Sequence, residues 1–264
     1  MRTRVVLAFT LAAGAAGFLL PAAAATRPAG GAGEKPAFTQ GLKNLVQRAI
    51  VAEQRALKAK TLKKAIAALK ASEKLLDQVF EMLRTDEGRL LPSAQEIKAQ
   101  RWDAYEHDGF ARTWLGFVQG GNKKKDAARI KKARKLINVA LKAKHDLLAL
   151  IPAEVDLGCK VQTKTEFPPG QPAKKTLQVV NCTTALTEIR LANGKLPTFG
   201  EPTITKPDGT ASPATCSLNG VLSCPVSLPP GAVFSLPIVG TSSGGVAKVL
   251  LVAAGGVSFS AAVF

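Results

Sequence analysis

The chain has 264 residues, with 36 Lys and Arg against 19 Asp and Glu, which gives a formal net charge of +17. A hydrophobic content of 46% is enough for folded cores and excludes global disorder, and the length favours two domains. Only two His, one Tyr and two Trp are present, so few side chains are available for metal binding or acid–base catalysis. We therefore expect no catalytic residue, no metal site and no cofactor.

Residues 1–25 have the pattern of a secretory signal peptide. Two arginines precede an apolar run over residues 5–20, which is followed by small residues up to Ala25. A positive start, an apolar middle and a small-residue cleavage site direct export, and about 16 apolar residues are short for a membrane span. We predict cleavage after Ala25, with Ala24 as the alternative, and a flexible leader over residues 26–36.

Export places the cysteines in a compartment where thiols oxidise. All four follow the predicted cleavage site: Cys159, Cys182, Cys216 and Cys224. An even number of cysteines without a C-x-x-C pair indicates structural disulfides rather than a redox or metal site. We therefore expect a protein that is secreted or works in the periplasm or at the cell surface.

Proline content divides the mature chain in two. Residues 37–151 contain one proline, Pro92, whereas residues 152–264 contain twelve. Proline lacks a backbone donor and breaks helix interiors, so the second region cannot be mainly helical. We predict a multidomain α+β chain, with an all-α antiparallel helical bundle over residues 37–151 and an all-β, Ig-like sandwich over residues 152–264.

Apolar residues recur at helical spacing in the first region. The stripe on the first predicted helix is Leu42, Leu45, Val46, Ala49, Ile50 and Leu57. The stripe on the second is Leu62, Ile66, Leu69, Leu76, Phe80 and Leu83. Thr61 is the predicted N-cap of the second helix. The spacing leaves open whether the two stripes form one long helix or a hairpin bent near residues 58–61.

Turn and capping signals divide the rest of this region. Residues 86–88 (Asp-Glu-Gly) are predicted to end the second helix, and Ser93 with Glu96 has the spacing of a capping box for a third. Residues 120–122 (Gly-Gly-Asn) precede the last helix. The apolar face of that helix is Ile130, Ala133, Ile137, Leu141, Leu148 and Ile151. Four or five helices of this kind favour an antiparallel bundle.

The second region carries short extended runs separated by turn signals. The runs are residues 155–167, 176–184, 186–191, 203–205, 221–226, 232–239, 246–253 and 257–264. The turn signals are Pro168-Pro169-Gly170, Asn193-Gly194, Pro207-Asp208-Gly209, Asn219-Gly220 and Pro230-Gly231. Many short strands at this spacing are typical of a sandwich of immunoglobulin size, without the Cys…Trp…Cys signature of antibody domains.

The hairpin from Cys216 to Cys224 carries a family resemblance. Its sequence Cys-Ser-Leu-Asn-Gly-Val-Leu-Ser-Cys is followed by Leu-Pro-Pro-Gly at residues 228–231 and by an alternating strand at residues 233–239. This combination resembles the end of the conserved repeat domain of bacterial surface proteins, a family catalogued as domain of unknown function eleven and akin to CARDB-type adhesion modules. The resemblance covers residues 153–264. It implies an extracellular β-sandwich that acts as a spacer or adhesion module, with no catalytic residues.

Spacing by itself favours the disulfides Cys216–Cys224 and Cys159–Cys182. A two-residue turn at Asn219-Gly220 would place Cys216 opposite Ser223, whereas a three-residue loop or a bulge would bring Cys224 across. The other two cysteines flank the Pro-Pro-Gly turn on successive strands, and they face each other if those strands are adjacent.

Positive charge is concentrated in the last predicted helix, where residues 123–144 hold ten basic residues against one acid, Asp126. The candidate anion-binding residues are Lys123, Lys124, Lys125, Arg129, Lys131, Lys132, Arg134 and Lys135, with Lys142 and Lys144 further along. Such a face either concentrates anions or only keeps a bundle soluble. An exported chain would present it to an anionic envelope polymer, a surface partner protein or a membrane surface. No motif or interleaved aromatic indicates sequence-specific nucleic-acid binding.

Residues 102–110, with Trp114 and Phe117, form the richest aromatic segment. Their mostly helical spacing favours packing onto a core. The alternative is a ligand pocket, which would suit a small-molecule carrier or an enzyme. Its lining would be Trp102, Tyr105 and Trp114.

Acidic and histidine residues give weak signals for catalysis. Glu106, His107 and Asp108 are consecutive, so they point to different helix faces. Glu53 and Glu73 continue apolar seams, as in di-iron bundles, but neither histidine has a glutamate three residues before it. We expect these two glutamates to be partly exposed or paired with a bundle lysine. No G-x-S-x-G, Walker or zinc pattern occurs, so we interpret the chain as a secreted or cell-surface, non-enzymatic interaction or adhesion protein.

Overall fold

A computed structural model describes residues 37–192, 198–239 and 245–263. The predicted signal peptide, the leader and the Asn193-Gly194 turn lie outside these ranges. Within them, five helices are followed by two antiparallel sheets, which confirms the predicted fold class. None of the helices in these ranges is both long and apolar enough to cross a membrane.

The helical region is built around a hairpin and two further long helices. The helices are α1 (Phe38–Leu57), α2 (Leu62–Arg84), α3 (Asp86–Leu90), α4 (Ala94–Gly116) and α5 (Lys123–Leu150). The chain breaks between α1 and α2 at residues 58–61, so the hairpin is the correct alternative. The Thr61 hydroxyl accepts a hydrogen bond from the Lys64 amide at 3.3 Å, which confirms the predicted N-cap. α4 packs against α5 and α2, and α1 packs against α2 and α5.

The segment after α2 differs from the prediction. Asp86, Glu87 and Gly88 do not end α2 but belong to the short helix α3, because the Thr85 hydroxyl caps it by accepting from the Gly88 amide at 3.3 Å. Gly88 is buried, and a Cβ there would lie 2.3 Å from the Met82 carbonyl oxygen. Glycine is therefore needed for this close approach of two turns rather than for helix termination.

The predicted capping box of α4 is wrong. Ser93 occupies the N-cap position, but its side chain makes no capping hydrogen bond. The hydroxyl instead donates to the Leu150 carbonyl oxygen at 2.9 Å and so ties the start of α4 to the end of α5. By contrast, Asn122 does cap α5, since its side-chain oxygen accepts from the Lys125 amide at 3.0 Å.

Apolar faces of the long helices meet in two neighbouring clusters, as the predicted stripes require. The larger cluster includes Leu42, Val46, Ala49, Leu76, Val79, Leu83, Ile97, Ala104 and Leu147. The smaller one includes Ala56, Leu69, Ala111, Leu115, Ala133 and Ile137. Burying a side chain of Val, Leu or Ile size stabilises the fold by about 1.5–3 kcal/mol each, so these faces supply the main driving force for the bundle.

Eleven strands form the second region over the described residues. They are β1 (Lys160–Glu166), β2 (Lys174–Val180), β3 (Leu186–Ala192), β4 (Thr198–Phe199), β5 (Thr203–Thr205), β6 (Ala211–Pro213), β7 (Ser217–Leu218), β8 (Leu222–Leu228), β9 (Val233–Val239), β10 (Val246–Ala253) and β11 (Gly256–Val263). One sheet has the order β1-β2-β9-β5-β6, with β4 also paired to β9. The other has the order β11-β10-β3-β8-β7. The prediction missed β4, β6 and β7, which have only two or three residues each.

The two sheets bury one shared apolar core. Leu177, Phe234 and Leu236 of the first sheet lie in the same cluster as Leu191 and Val249 of the second. Inward residues alternate with more exposed ones along β9, as expected for a strand with one buried face. This arrangement is a β-sandwich, as predicted.

Both predicted disulfides are present. Cys159 lies just before β1 and Cys182 just after β2, so their bond closes the open end of the β1–β2 hairpin. Cys216 is bonded to Cys224. The register pairs Ser217 with Ser223 and leaves a three-residue loop, which selects the second of the two alternatives for this hairpin.

The bundle and the sandwich contact each other at α3. The apolar part of this contact consists of Leu90, Ala192, Leu250 and Val257. The Arg190 guanidinium of β3 donates to the carbonyl oxygens of Leu90 and Leu91 at 3.3 and 3.1 Å. The Leu91 carbonyl oxygen also accepts from the Ala94 amide at 3.1 Å, so Arg190 adds a side chain of the sandwich to the hydrogen bonds at the end of α3.

A second contact joins the start of α1 to the sandwich. One carboxylate oxygen of Glu154 accepts from the Thr39 amide at 3.1 Å and from the Thr39 hydroxyl at 3.3 Å. The Phe38 ring packs edge-on against Phe259 of β11, with ring centroids 5.5 Å apart. The start of α1 and the end of α5 are therefore both at the sandwich end of the bundle.

Candidate anion-binding face and buried bundle charges

Four exposed lysines of α5 lie in one line along the helix. Lys124, Lys131, Lys135 and Lys142 are seven, four and seven positions apart, and at 3.6 residues per turn they share one face to within about 20°. With a rise of 1.5 Å per residue, the line is about 27 Å long. We call these four residues the lysine row.

The other predicted basic residues lie beside the row. Those with exposed side chains are Lys123, Lys125 and Lys132. Arg129 is half-buried and donates to the Asp126 carboxylate at 3.1 Å and to the Phe117 carbonyl oxygen at 2.5 Å. The Lys132 amine lies 4.1 Å from the centre of the Trp114 ring. Arg129 and Lys132 therefore help to hold α5 against α4. Arg134, like Arg129, is only partly exposed.

No member of the lysine row takes part in an ion pair with a carboxylate of the described residues. Asp126, the single acid of the stretch, is buried and pairs with Arg129. Its second oxygen accepts from the Gly120 amide at 2.8 Å. The charge of the row is therefore not neutralised by this neighbouring acid.

Lys144 does not belong with the exposed basic residues of α5, although the sequence analysis grouped it with them. It belongs to the basic stretch in sequence, but its side chain is fully buried. The reason is its position, because it follows Ile137 by seven residues and precedes Leu147 by three, which places it on the inner face of α5. This spacing was the signal that distinguished Lys144 from the exposed lysines.

The prediction that the aromatic segment covers a core is wrong for three residues. Trp102 is 58% exposed, and Phe110 and Phe117 are each 50% exposed. Trp102 stacks on Tyr105 with ring centroids 6.0 Å apart, and the nearly buried Arg101 guanidinium lies 4.7 Å from the Tyr105 ring centre. These aromatics lie on the surface because their helix positions differ from those of Ala104, Ala111 and Leu115, which face inward.

Only two of the three predicted pocket residues, Trp102 and Tyr105, lie together, and Trp114 is apart from them. Trp114 makes its ring contact with Phe117, at 6.1 Å, while Trp102 and Tyr105 pair with each other nine or more residues earlier on the helix. Two cavities found within the described residues are elsewhere. One is next to the α1–α2 turn near Leu62, and the other is next to Cys216 in the sandwich.

Glu106, His107 and Asp108 point in different directions, as consecutive helix residues should. Glu106 is exposed, and His107 contacts the Asp103 carboxylate at 3.2 Å. Asp108 points into the bundle instead. The described residues contain no group of three or more His, Cys, Asp or Glu side chains arranged to hold a metal ion.

Three ionisable side chains from three helices meet inside the bundle. The Lys144 amine of α5 lies 2.5 Å from Glu53 Oε2 of α1 and 2.9 Å from Asp108 Oδ2 of α4. All three side chains are fully buried. We call them the buried triad. The prediction that Glu53 pairs with a bundle lysine is confirmed, and the alternative of partial exposure is wrong for this residue.

The triad is incompletely hydrogen-bonded. Glu53 Oε1 and Asp108 Oδ1 are buried and have no partner among the described residues. The pKa of Glu53 is raised to about 9, mainly by burial; Lys144 opposes the shift and the nearby Asp108 carboxyl group adds to it. The Glu53 carboxyl therefore keeps its proton at neutral pH.

Glu73 has a simpler environment. Its side chain is 12% exposed and accepts from the Arg112 guanidinium of α4 at 2.8 Å. The expected partial exposure is confirmed, whereas the expected lysine partner is wrong because the partner is Arg112. The bond ties α2 to α4 near the surface.

Comparisons with known proteins assign no family. No protein-family model matches the chain, and no curated protein matches it. Among solved structures, the chain is similar to the surface layer protein SbsC, domains 1–6, at 17% identity and a TM-score of 0.18 over 86% of this chain. The chain spans 32% of the length of that structure. The resemblance of residues 153–264 to the conserved repeat family therefore remains an interpretation of the cysteine hairpin.

Proposed function

We propose that this protein is a non-enzymatic interaction protein of the extracytoplasmic space, and that the lysine row of α5 contacts an anionic polymer of the cell envelope. The supporting observation is the row itself, a line of four exposed lysines that pair with no carboxylate of the described part of the chain. A row about 27 Å long matches an extended polyanion better than a single small anion, because its charges are distributed along one direction.

The first turn of α5 supports a role beyond stability. Lys123, Lys124 and Lys125 lie at the helix N-terminus, where the positive end of the helix dipole disfavours cations. Such a placement costs about 0.3–1 kcal/mol for each charge at low ionic strength. Solubility alone could be obtained with lysines further along the helix, so the position favours selection for anion binding.

The sandwich fits the role of a scaffold or adhesion module in this proposal. Two disulfides are typical of proteins that mature in an oxidising compartment, which agrees with the predicted signal peptide. The described part of the sandwich has seven basic and six acidic residues, so its charges nearly cancel, whereas α5 has ten basic and two acidic residues. We therefore assign the polymer contact to the bundle and not to the sheets.

Retention on purified anionic wall polymer at increasing salt tests this proposal. We expect Lys124, Lys131 and Lys135→Glu together to reduce retention strongly, because the change reverses three charges of one row. The matched control is Lys160, Lys174 and Lys206→Glu, which makes the same net change on exposed residues of the sandwich. Salt should weaken binding of the wild-type protein steeply, as for any polyelectrolyte contact.

Two outcomes would contradict the proposal. If the two triple variants lose retention equally, net charge and not the row determines binding. If neither variant changes retention on wall polymer while binding to a partner protein or to anionic vesicles is found, the ligand class is wrong.

A further inference from the structure

The buried triad places an amine against two carboxyl groups at a point that bulk solvent does not reach. Lys144 Nζ is 2.5 Å from Glu53 Oε2 and 2.9 Å from Asp108 Oδ2, and none of the three side chains is exposed. Each carboxyl group also has one oxygen without a hydrogen-bond partner among the described residues. The three groups come from α1, α4 and α5, so the bundle must be folded before they meet.

The triad is a costly way to hold three helices together. Desolvating charged groups is unfavourable, and apolar side chains of similar volume often give equal or greater stability. Buried carboxyl oxygens without partners add to this cost. Stability alone therefore does not explain why these three groups are placed together.

We propose that Lys144 and Glu53 become joined by an amide bond inside the folded bundle, with Asp108 as the catalytic proton acceptor. The amine is in hydrogen-bond contact with both carboxyl groups, so the nucleophile, the acyl carbon and the base are already held together. Positioning of this kind replaces the entropy loss of a bimolecular encounter. Exclusion of water also favours condensation over hydrolysis.

The reaction balances without a further reactant. Asp108 takes one proton from the Lys144 ammonium, which leaves a neutral amine with a free electron pair. That pair attacks the carbonyl carbon of the protonated Glu53 carboxyl group to give a tetrahedral intermediate. The intermediate loses the hydroxyl group and one nitrogen proton as water, and a C–N bond replaces the C–O bond.

The assignment of Glu53 as the acyl partner depends on its protonation. A neutral carboxylic acid accepts a nucleophile far more readily than a carboxylate, and burial keeps Glu53 in the acid form at neutral pH. Glu53 also makes the shorter of the two contacts with the amine. Asp108 is the remaining group that can take the proton.

The product is better suited to burial than the separate side chains. It contains an amide and a neutral Asp108 carboxylic acid, which can hydrogen-bond to each other, and it retains no net or separated charge. The bond would join two positions 91 residues apart and so connect α1 covalently to α5. Such a link restricts the unfolded chain in the way a disulfide does.

The intact mass of the full wild-type protein, purified in its folded form, tests whether the amide bond is present. After export, the protein is denatured, its disulfides are reduced and its intact mass is compared with the mass of its processed sequence. We expect a deficit of one water, and digestion should give a branched peptide that contains both Glu53 and Lys144. The Lys144→Arg variant is the control and should have its full sequence mass. An unmodified wild-type mass would overturn the proposal.

Two variants test the assigned roles. Asp108→Asn removes the proton acceptor and should leave the chain unlinked, and Glu53→Ala removes the acyl partner and should do the same. Circular dichroism establishes that each variant is helical before its mass is interpreted. A branched peptide between Lys144 and Asp108 in the wild-type protein, or loss of water in the folded Asp108→Asn variant, would overturn the assignment.

Discussion

The helical bundle and the β-sandwich differ in the groups that they bury and in how they are cross-linked. The described residues bury five ionisable side chains, and all of them lie in the bundle: Glu53, Arg101, Asp108, Asp126 and Lys144. The sandwich buries none in its described part and contains both disulfides instead. The bundle should therefore be sensitive to changes in charge, and the sandwich to changes in redox state.

The largest expected effect is the loss of a disulfide from the sandwich, which tests whether the two regions are stabilised independently. Replacing Cys159 and Cys182 together by Ser should destabilise the sandwich by about 3 kcal/mol, because the bond closes a loop with a sequence separation of 23. Urea unfolding followed by hydrogen–deuterium exchange of peptides from α1–α5 and from the strands separates the two regions. The helical peptides should keep their midpoint. A helical midpoint that falls as far as that of the strand peptides would mean that the two regions unfold as one unit.

A smaller effect is expected from a buried polar group in the bundle. Ser72 is fully buried on α2, and its hydroxyl has no hydrogen-bond partner among the described residues. Ser72→Ala should stabilise the bundle by about 1 kcal/mol, because it removes an unsatisfied polar group and improves helix propensity. The measurement is the midpoint of helical unfolding in urea. Thr61→Ala is a useful control of opposite sign, since it removes a formed N-cap worth about 1 kcal/mol.

The smallest effect concerns an ion pair between the two regions. Lys248 of β10 lies 3.0 Å from Glu87 of α3. Burial raises the pKa of Glu87, but the Glu87 amide, Lys248 and Thr85 together bring it below its usual 4.5. This depressed pKa means that the stabilisation is complete above pH 4.5 and is lost as the pH falls through the folded-state pKa.

Lys248→Gln should therefore reduce stability at pH 7 by about 0.5 kcal/mol or less, since the pair is partly exposed to solvent. The difference between variant and wild type should shrink as the pH is lowered below 4 in urea titrations. A difference that is the same at pH 3 and pH 7 would show that the side chain acts through packing and not through charge.

Periodicity and proline content were enough to predict the two regions, because both reflect the backbone directly. Apolar spacing located α1, α2 and α5 but left open whether the first two were one helix. Turn and capping signals located α4, and extended runs located the longer strands. Spacing also gave both disulfides, since a hairpin brings residues at equal distances from its turn together. The short strands β4, β6 and β7 were missed because two or three residues carry no measurable period.

The parts of the site that depend on tertiary contacts were harder to predict. Ser93 had the sequence of a capping box, but the Leu150 carbonyl oxygen competes for its hydroxyl. Charge counting placed Lys144 with the exposed lysines, although its position relative to Ile137 marks the inner face. The prediction for Trp102, Phe110 and Phe117 failed because helical spacing alone does not tell which face of α4 is covered.

The polar contacts at Thr39 and Arg190 have a geometric consequence for binding. They fix the start of α1 and the end of α3 to the sheets, and α5 reaches the same end of the bundle at Leu150. A helix of 28 residues is about 42 Å long, so Lys124 lies far from the sheets while Lys142 lies closer to them. A polymer chain that follows the four amines would run along the bundle away from the sheets. The sandwich would then separate the bound polymer from whatever the sheets are attached to.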